Sequence, residues 1–598
     1  MESSTAAAAE GSTGSATIAD MMGLAAARFG ERPAAKRKRD GTWGDVSFRE
    51  AGAIVSEIGR GLIDLGLRPG DRVALLCTTR PEWTWADFAI TSAGGVVVPI
   101  YPTNSPGECE WVAGNSESRY IVCEDATQVA KIAEVRERLP RLEAIVVVEP
   151  GGAAAGTIAL DDLRERGRAR DEAELAERSR AVRPEDPFTI IYTSGTTGPP
   201  KGCVLTHGNY RSVLNMCEEI DVLKGEDLVY LYLPLAHSYA LLIQLLAIDL
   251  GATTAYWGGD VKQIVPELME VKPGYLPSVP RIFEKIYTLV TASGDPEKIK
   301  AATQVGLKVR QLEAAGQPIP PELQAHYDGA DEQLFKNVRG VFGGRLKQAN
   351  TGAAPIAKEI LEFFYACGVP VLEGYGMTET STVTTTSTVE NHRFGTVGQA
   401  IPGAQIRIAD DGEVLVRGPH VFQGYHGVDD RSFGTIEDGW LHTGDLGSLD
   451  EDGYLSITGR KKDIIITAGG KNLTPANLEN DLKQSRWISQ AVMYGDRRPY
   501  PVALITLDPE EIPHFAREHG LPEDPAALAR EPKVIELIQG LLDDVNQRYA
   551  RVEQIKRFVI LDHDLSLETG ELTPTLKVKR NVVNEKYEPL FEQLYAQD

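Results

Sequence analysis

The sequence has no excess of positive charge: 62 Lys and Arg stand against 86 Asp and Glu, a formal net charge of −24. A chain this acidic repels polyanions in bulk, which argues against nonspecific binding to nucleic acid or to an anionic membrane. Any polyphosphate ligand has to be held by local groups. Nor does any apolar run reach the roughly 20 residues that a bilayer-spanning helix needs. The most apolar stretch, 239–250, is interrupted by Gln244 and Asp249 and predicts a buried helix, with interfacial lipid contact as the lesser alternative. Cysteine is sparse. Cys77, Cys109, Cys123, Cys203, Cys217 and Cys367 form no CxxC pair and no zinc-like spacing with histidine, which argues against a disulfide framework or a metal cluster and suits reduced, buried thiols in a reducing cytosol. The first nineteen residues lack a basic start and an apolar run, so they read as a flexible tail and not as a secretory signal.

What is present suffices for more than one core. At 598 residues, with 42% hydrophobic and 25% charged residues, the chain is expected to fold as two or more domains. Ile54, Ile58, Leu62 and Leu65 recur at helical spacing, and that helix is expected to stop at Gly66. After the Pro69-Gly70-Asp71 turn, 72–77 reads as a buried strand, 83–92 as a helix and 96–101 as a second strand, and 120–123 and 144–148 repeat the strand pattern. Short apolar strands separated by helices predict β-α-β units and a largely parallel sheet. The charged run 161–183 predicts a solvated helix, and 296–336 a surface helical excursion around the proline-rich break at 318–321. Past Gly459 the texture changes: a basic Arg460-Lys461-Lys462-Asp463 segment leads to hairpin strands at 491–494 and 502–507 and helices at 534–549 and 582–595. The predicted architecture is a large α/β domain joined through a basic hinge to a small α+β domain.

Three segments carry the chemistry. Thr193-Ser194-Gly195-Thr196-Thr197-Gly198-Pro199-Pro200-Lys201 follows the apolar strand 188–191 and offers four hydroxyls, two glycines and a lysine, the makings of a loop that wraps a polyphosphate. It is not a Walker A loop, because Pro200 precedes Lys201 and Gly202 follows it. Glu373-Gly374-Tyr375-Gly376-Met377-Thr378-Glu379-Thr380 places a carboxylate beside hydroxyls, a hard-oxygen set for magnesium, and puts Tyr375 between glycines where it could lie against a base. Thr443-Gly444-Asp445 sets an aspartate at a strand-to-turn junction, where it could accept hydrogen bonds from ribose hydroxyls. Each of the last two, alone, could equally be a polar turn.

Taken in order, these segments resemble the adenylate-forming superfamily of acyl-CoA synthetases, luciferases and peptide-synthetase adenylation domains. The resemblance runs from about residue 20 to the end and includes Leu233-Pro234-Leu235-Ala236-His237, Thr351-Gly352-Ala353-Ala354-Pro355, Gly395-Thr396-Val397-Gly398, Gly453-Tyr454-Leu455 and Gly459-Arg460-Lys461-Lys462-Asp463. Within the superfamily the chain is most similar to bacterial AMP-forming long-chain fatty acid-CoA ligases, through the segments at 277–285, 468–472 and 570–580. Many relatives carry Ser-Gly-Lys where this chain has Thr575-Leu576-Lys577. The implied fold is α/β: a tail at 1–19, a layered N-terminal adenylate-forming domain at 20–459 with a small β-barrel-like part, a hinge at 460–463 and a mobile α+β domain at 464–598.

The resemblance also implies roles. The 193–201 loop, from Thr193 through Ser194, Gly195, Thr196, Thr197 and Gly198 to Lys201, would bind the β and γ phosphates of ATP, and His237 would face the acyl carboxylate. Thr378 would contact the α-phosphate and Glu379 would coordinate Mg²⁺. Ala353, Ala354 and Tyr375 would form the adenine slot, Asp445 and Arg460 would hold the ribose, and Lys577 would bridge carboxylate and α-phosphate. Lys462 would be the hinge about which the small domain turns, presenting Gly469 and Gly470 to the pantetheine thiol of coenzyme A, with Lys471 helping to place CoA. Short-chain relatives have tryptophan where this chain has Gly376, so glycine there would leave the acyl pocket open. The implied activity is ligation of a fatty acid to coenzyme A with ATP and Mg²⁺, in the cytoplasm, with peripheral contact at the inner face of a membrane and the choice of monomer or homodimer left open. A fatty acyl-AMP ligase and an aryl or other acid-CoA ligase are alternatives of the same chemistry, and a non-catalytic acyl- or nucleotide-binding protein is one of a different class.

Overall fold

Along the strand Arg72–Leu76 the side chains alternate between two cores: Val73 and Leu75 join one cluster of buried residues, Ala74 and Leu76 another. A strand apolar on both faces belongs in a parallel sheet covered by helices on each side. The structure, a computed structural model, describes residues 11–152, 156–193, 199–291, 294–428, 435–573 and 577–596.

Two large sheets organise the N-terminal part. In the eight-stranded sheet, Arg72–Leu76, Val96–Ile100, Tyr120–Cys123 and Ala144–Val147 are parallel, as the alternating pattern predicted. In the nine-stranded sheet, Leu228–Leu231, Tyr275–Ser278, Gln348–Thr351 and Val371–Tyr375 run parallel side by side. The helices Ile18–Phe29, Phe48–Asp64, Pro81–Ser92, His207–Glu219 and Ser238–Leu250 fill the space between the sheets, and further helices cover the outer face of each, giving five layers. The helix Phe48–Asp64 starts at a capping box formed by Ser47 and Glu50 and ends ahead of Gly66, whose φ of +96° suits glycine.

Helix Ser238–Leu250 is buried at every residue from Ala240 to Leu250, which removes it as a lipid-contacting surface. Its two polar interruptions are paired inside: Gln244 accepts from the Thr84 hydroxyl at 2.6 Å, and Asp249 meets Arg211 at 2.6 Å. No helix among the described residues is long and apolar enough to cross a membrane.

The charged run is helical and largely solvent-exposed, as expected, yet its first part packs closely. It forms two helices, Leu160–Arg168 and Glu172–Ala181, and the first lies directly on Phe48–Asp64. A Cβ at Gly167 would come within 1.8 Å of the Glu57 carbonyl oxygen, and one at Gly61 within 2.2 Å of that of Leu163. The packing relies on absent side chains, which a hydrophobic pattern does not register, and Arg164 and Arg168 both pair with Glu57.

A five-stranded antiparallel sheet, built around Trp440–Leu449, completes this part. The smaller C-terminal part carries the expected hairpin, Ile488–Tyr494 with Val502–Leu507, joined in parallel by Phe558–Ile560. The helix expected over 582–595 is two, Arg580–Lys586 and Glu588–Tyr595, separated at Tyr587 by the proline that opens the second. Arg281 and Lys285, on the helix Pro280–Thr291, reach across to Asp508 and Glu510, each at 2.5 Å.

Candidate active site

Parallel strands bring their carboxyl ends to one edge of a sheet, and α/β proteins bind ligands there. Thr351 and Glu373 are paired partners on neighbouring parallel strands, so Ala353 and Ala354, just past one strand, and Tyr375, at the end of the other, emerge side by side. Ala353 has a φ of +68°, a left-handed backbone that costs a non-glycine residue roughly 1–2 kcal/mol. His237 follows the strand Leu228–Leu231 and caps the helix Ser238–Leu250, its Nδ1 accepting from the Tyr239 amide at 3.2 Å. Burial, reinforced by the charge of Lys577, pushes His237 down to about 4, so the ring is neutral and its single proton sits on Nε2.

Asp445 belongs to the interior of strand Trp440–Leu449 and not to a strand-to-turn junction, directly opposite Arg460 on the adjoining strand. Arg460 Nε donates to Asp445 Oδ1 at 2.6 Å and the Tyr375 hydroxyl to Oδ2 at 2.8 Å. Burial works against the Arg460 charge, but Asp445 outweighs it and raises the guanidinium above its ordinary value. Tyr375 is thus fastened by its hydroxyl, which fixes where the far end of its ring sits.

Lys577 comes from the C-terminal part and enters this cluster. It is accessible to solvent, yet protein crowds it closely: burial pushes its ammonium down to about 8, with Arg460 adding to the shift and Asp445 opposing it. Burial and then Arg460 lower Lys462 as well, in the turn Lys461–Asp463. Lys461 is anchored to Asp411 at 2.5 Å and Glu413 at 2.9 Å. Gly469, Gly470 and Lys471 stand apart, in an exposed turn between Ile465–Ile466 and Asn472–Leu473, and no hydrogen bond or ion pair among the described residues joins them to Asp445, Arg460 or Lys577.

Glu379 and Thr378 lie buried in the short turn Thr378–Thr380. Glu379 Oε1 accepts from the Tyr425 hydroxyl at 2.7 Å, and Tyr425 pairs with Cys203 on the strand that follows Lys201. The Lys201 ammonium lies 5.2 Å from the centre of the Tyr425 ring. Tyr425 therefore ties the 193–201 segment to the acidic turn, a role no motif announced. That segment joins two antiparallel strands, Pro187–Thr193 and Lys201–Thr206, with Thr193 opposite Lys201, so it is the head of a hairpin and not a strand-to-helix loop. Ser194, Gly195, Thr196, Thr197 and Gly198 fall outside the described residues.

Gly376 has a different reason than the one expected. A Cβ there would lie 1.8 Å from the Thr382 carbonyl oxygen and 2.8 Å from Val383 Cα, so the position is closed by backbone and gives no measure of an acyl pocket. Gly376→Ala is expected to destabilise the protein by about 1–3 kcal/mol, read by urea unfolding; an unchanged midpoint would restore the open-pocket reading.

Comparison with known proteins decides the family. The chain belongs to the AMP-binding enzyme family. Residues 24–426 match the model of the AMP-binding enzyme and 462–598 that of the AMP-binding enzyme C-terminal domain. It is 40% identical over 572 residues to "Long-chain-fatty-acid--CoA ligase FadD15" of Mycobacterium bovis, covering 94% of each chain, and 33% identical to "Long-chain-fatty-acid--CoA ligase ACSBG2" of Xenopus laevis, covering 95% of this chain and 82% of that one. Among solved structures it shares its fold with the anthranilate CoA ligase AuaEII in complex with anthranoyl-AMP, at 20% identity and a TM-score of 0.73 over 96% of this chain and 98% of that one. The adenylation domain of a carboxylate reductase from Mycobacterium chelonae gives 19% and 0.74, over 97% and 91%. For this member of the family, Arg281, Lys285 and Tyr425 are contacts that the motifs contained or neighbored without revealing their use.

Proposed function

We propose that the protein is an AMP-forming ligase that activates a medium- to long-chain fatty acid with ATP, giving acyl-adenylate and pyrophosphate, and then transfers the acyl group to the thiol of coenzyme A. The observation that carries the first half is the meeting of Lys577, from the C-terminal part, with His237, Asp445 and Arg460 of the N-terminal part. The name shared by relatives up to 40% identical carries the fatty acid and CoA.

In this reading the substrate carboxylate attacks the α-phosphorus and the bond to the β-phosphate breaks. Neutral His237 donates from Nε2 to the carboxylate without competing for its charge. Asp445 accepts from ribose hydroxyls, Tyr375 and Ala353 with Ala354 enclose the base, and Thr378 donates to the α-phosphate. Lys577 meets both anions as they approach. No group of three metal-ligating side chains forms among the described residues; Glu379 beside Thr378 fits Mg²⁺, which takes hard oxygen donors and draws most of its shell from phosphate and water. Mg²⁺ held there would neutralise charge on the departing pyrophosphate. For the second half-reaction the small domain turns about Lys462, so that Lys577 leaves and the Gly469-Gly470 turn, with Lys471, comes in. We infer a cytoplasmic protein; since the helix Ser238–Leu250 is buried, membrane contact would need another surface.

Pyrophosphate release with palmitate, Mg²⁺ and ATP, with and without CoA, tests the reading, with palmitoyl-CoA the expected product. Accumulated acyl-adenylate without thioester would indicate an acyl-AMP ligase, and silence over a panel of acids a binding protein. The reaction also carries a pH signature. Lys577 is cationic below about 8 and loses its proton above, while His237 stays neutral down to about 4. In the free enzyme, kcat/KM for ATP is therefore expected to fall about tenfold per pH unit above about 8, as Lys577 deprotonates. Lys577→Arg should remove that limb, and a limb unmoved by it would assign the titration elsewhere.

A further inference from the structure

The helix Pro106–Asn115 uses one face for the core and an adjoining one for the site. Cys109, Val112 and Ala113 are buried. Glu108, Trp111 and Asn115 follow at i, i+3 and i+7, a single stripe along the flank of that buried face. Each member of the stripe has a partner in the machinery described above. The Trp111 indole Nε1 donates to the carbonyl oxygen of Pro200, the residue before Lys201, at 2.9 Å. Asn115 Oδ1 accepts from the Tyr192 hydroxyl, on the other strand of the same hairpin, at 2.6 Å. Glu108 closes a capping box with Ser105 through Oε2, while its Oε1 lies 4.0 Å from Nζ of Lys579, two residues beyond Lys577.

These contacts are not explained by burial. Trp111 remains 39% exposed, so its N–H could bond to water at little cost, and the ring adds little to a core. What the stripe does is hold both strands of the hairpin at its head while touching the segment that delivers the lysine. We infer that Trp111 is a positioning residue for the ATP-binding hairpin, with Asn115 as the second grip, on a helix that the C-terminal lysine segment meets through Glu108 when Lys577 is in the site.

The inference rests on the proposed adenylation chemistry, and its test separates the two. Trp111→Phe keeps an aromatic ring, though a smaller one, and removes the donor. Its ATP KM in pyrophosphate release is expected to rise roughly five- to tenfold, the worth of one ordinary hydrogen bond, with the palmitate KM and the conversion of preformed palmitoyl-AMP and CoA to palmitoyl-CoA unchanged. An unchanged ATP KM would overturn the inference, and so would an equal fall in both half-reactions. If Trp111→Phe lowers the melting temperature, Tyr192→Phe releases the other grip and should show the same selective rise in ATP KM; no rise there overturns the inference. Should the wild type release no pyrophosphate with any acid, the chemistry has failed, and the positioning role is then judged by hydrogen exchange. Amides of 201–206 exchanging faster in Trp111→Phe than in the wild type would uphold it, and equal rates would end it.

Discussion

Lys577→Ala is expected to slow pyrophosphate release with palmitate by about 10²–10³-fold, the usual cost of removing one preorganised group that meets developing charge. The lysine is held where charge counts: crowded by protein, within electrostatic reach of His237, Asp445 and Arg460, and depressed to about 8 while it waits for an anion. Bringing a carboxylate and a triphosphate together requires a cation between them, and the described residues place this ammonium at the junction of the two parts of the chain. Conversion of preformed palmitoyl-AMP and CoA to palmitoyl-CoA should survive the substitution, since Lys577 is withdrawn for that step under the proposed rotation. Equal loss of both half-reactions would instead mean that the lysine holds the two domains together. Rapid-quench measurement of each half-reaction distinguishes the two outcomes.

Glu379→Gln should cause a loss of similar size, about 10²–10³-fold, together with a rise in the Mg²⁺ concentration needed for half-maximal rate. The variant keeps the side-chain shape and an oxygen for the Tyr425 hydroxyl, which now bonds at 2.7 Å. What it removes is charge. Glu379 has a structural duty, receiving the Tyr425 hydroxyl beside the Cys203 thiol, and a proposed chemical duty, facing the cation that accompanies ATP. Tyr425→Phe isolates the first: it is expected to weaken the tie between turn and hairpin while leaving the Mg²⁺ dependence in place. A Glu379→Gln enzyme with an unshifted Mg²⁺ titration would reduce Glu379 to that structural duty alone.

Local features of the chain were legible because their signals are local. The cap at Ser47 and Glu50, the stop at Gly66, the parallel strands from Arg72 to Val147 and the C-terminal hairpin all follow from periodicity and from residues with restricted backbones. The chemistry-bearing segments could be found because phosphate, metal and ribose need particular atoms close together in sequence. The charged run at 161–183 is helical and largely solvated, as its composition implies, but its close contact through Gly167 and Gly61 leaves no apolar stripe to read, and at Gly376 it is the backbone of Thr382 and Val383, not a pocket, that requires glycine.

By itself the sequence determined the α/β class, the presence of a second α+β unit, the identity of the residues that meet ATP and the acid in the proposed reading, and the buried state of the six cysteines. Only the tertiary structure decided which of those residues meet in one orientation: Lys577 with His237, Asp445 and Arg460, and the Gly469-Gly470 turn outside. It alone assigned Tyr425, Arg281, Lys285 and Trp111 their partners. The physical reason is the range of the interaction. A cap, a turn or a strand is settled by neighbours a few residues away, whereas an ion pair or a hydrogen bond between residues tens to hundreds of positions apart depends on how whole layers stack, which no local pattern encodes.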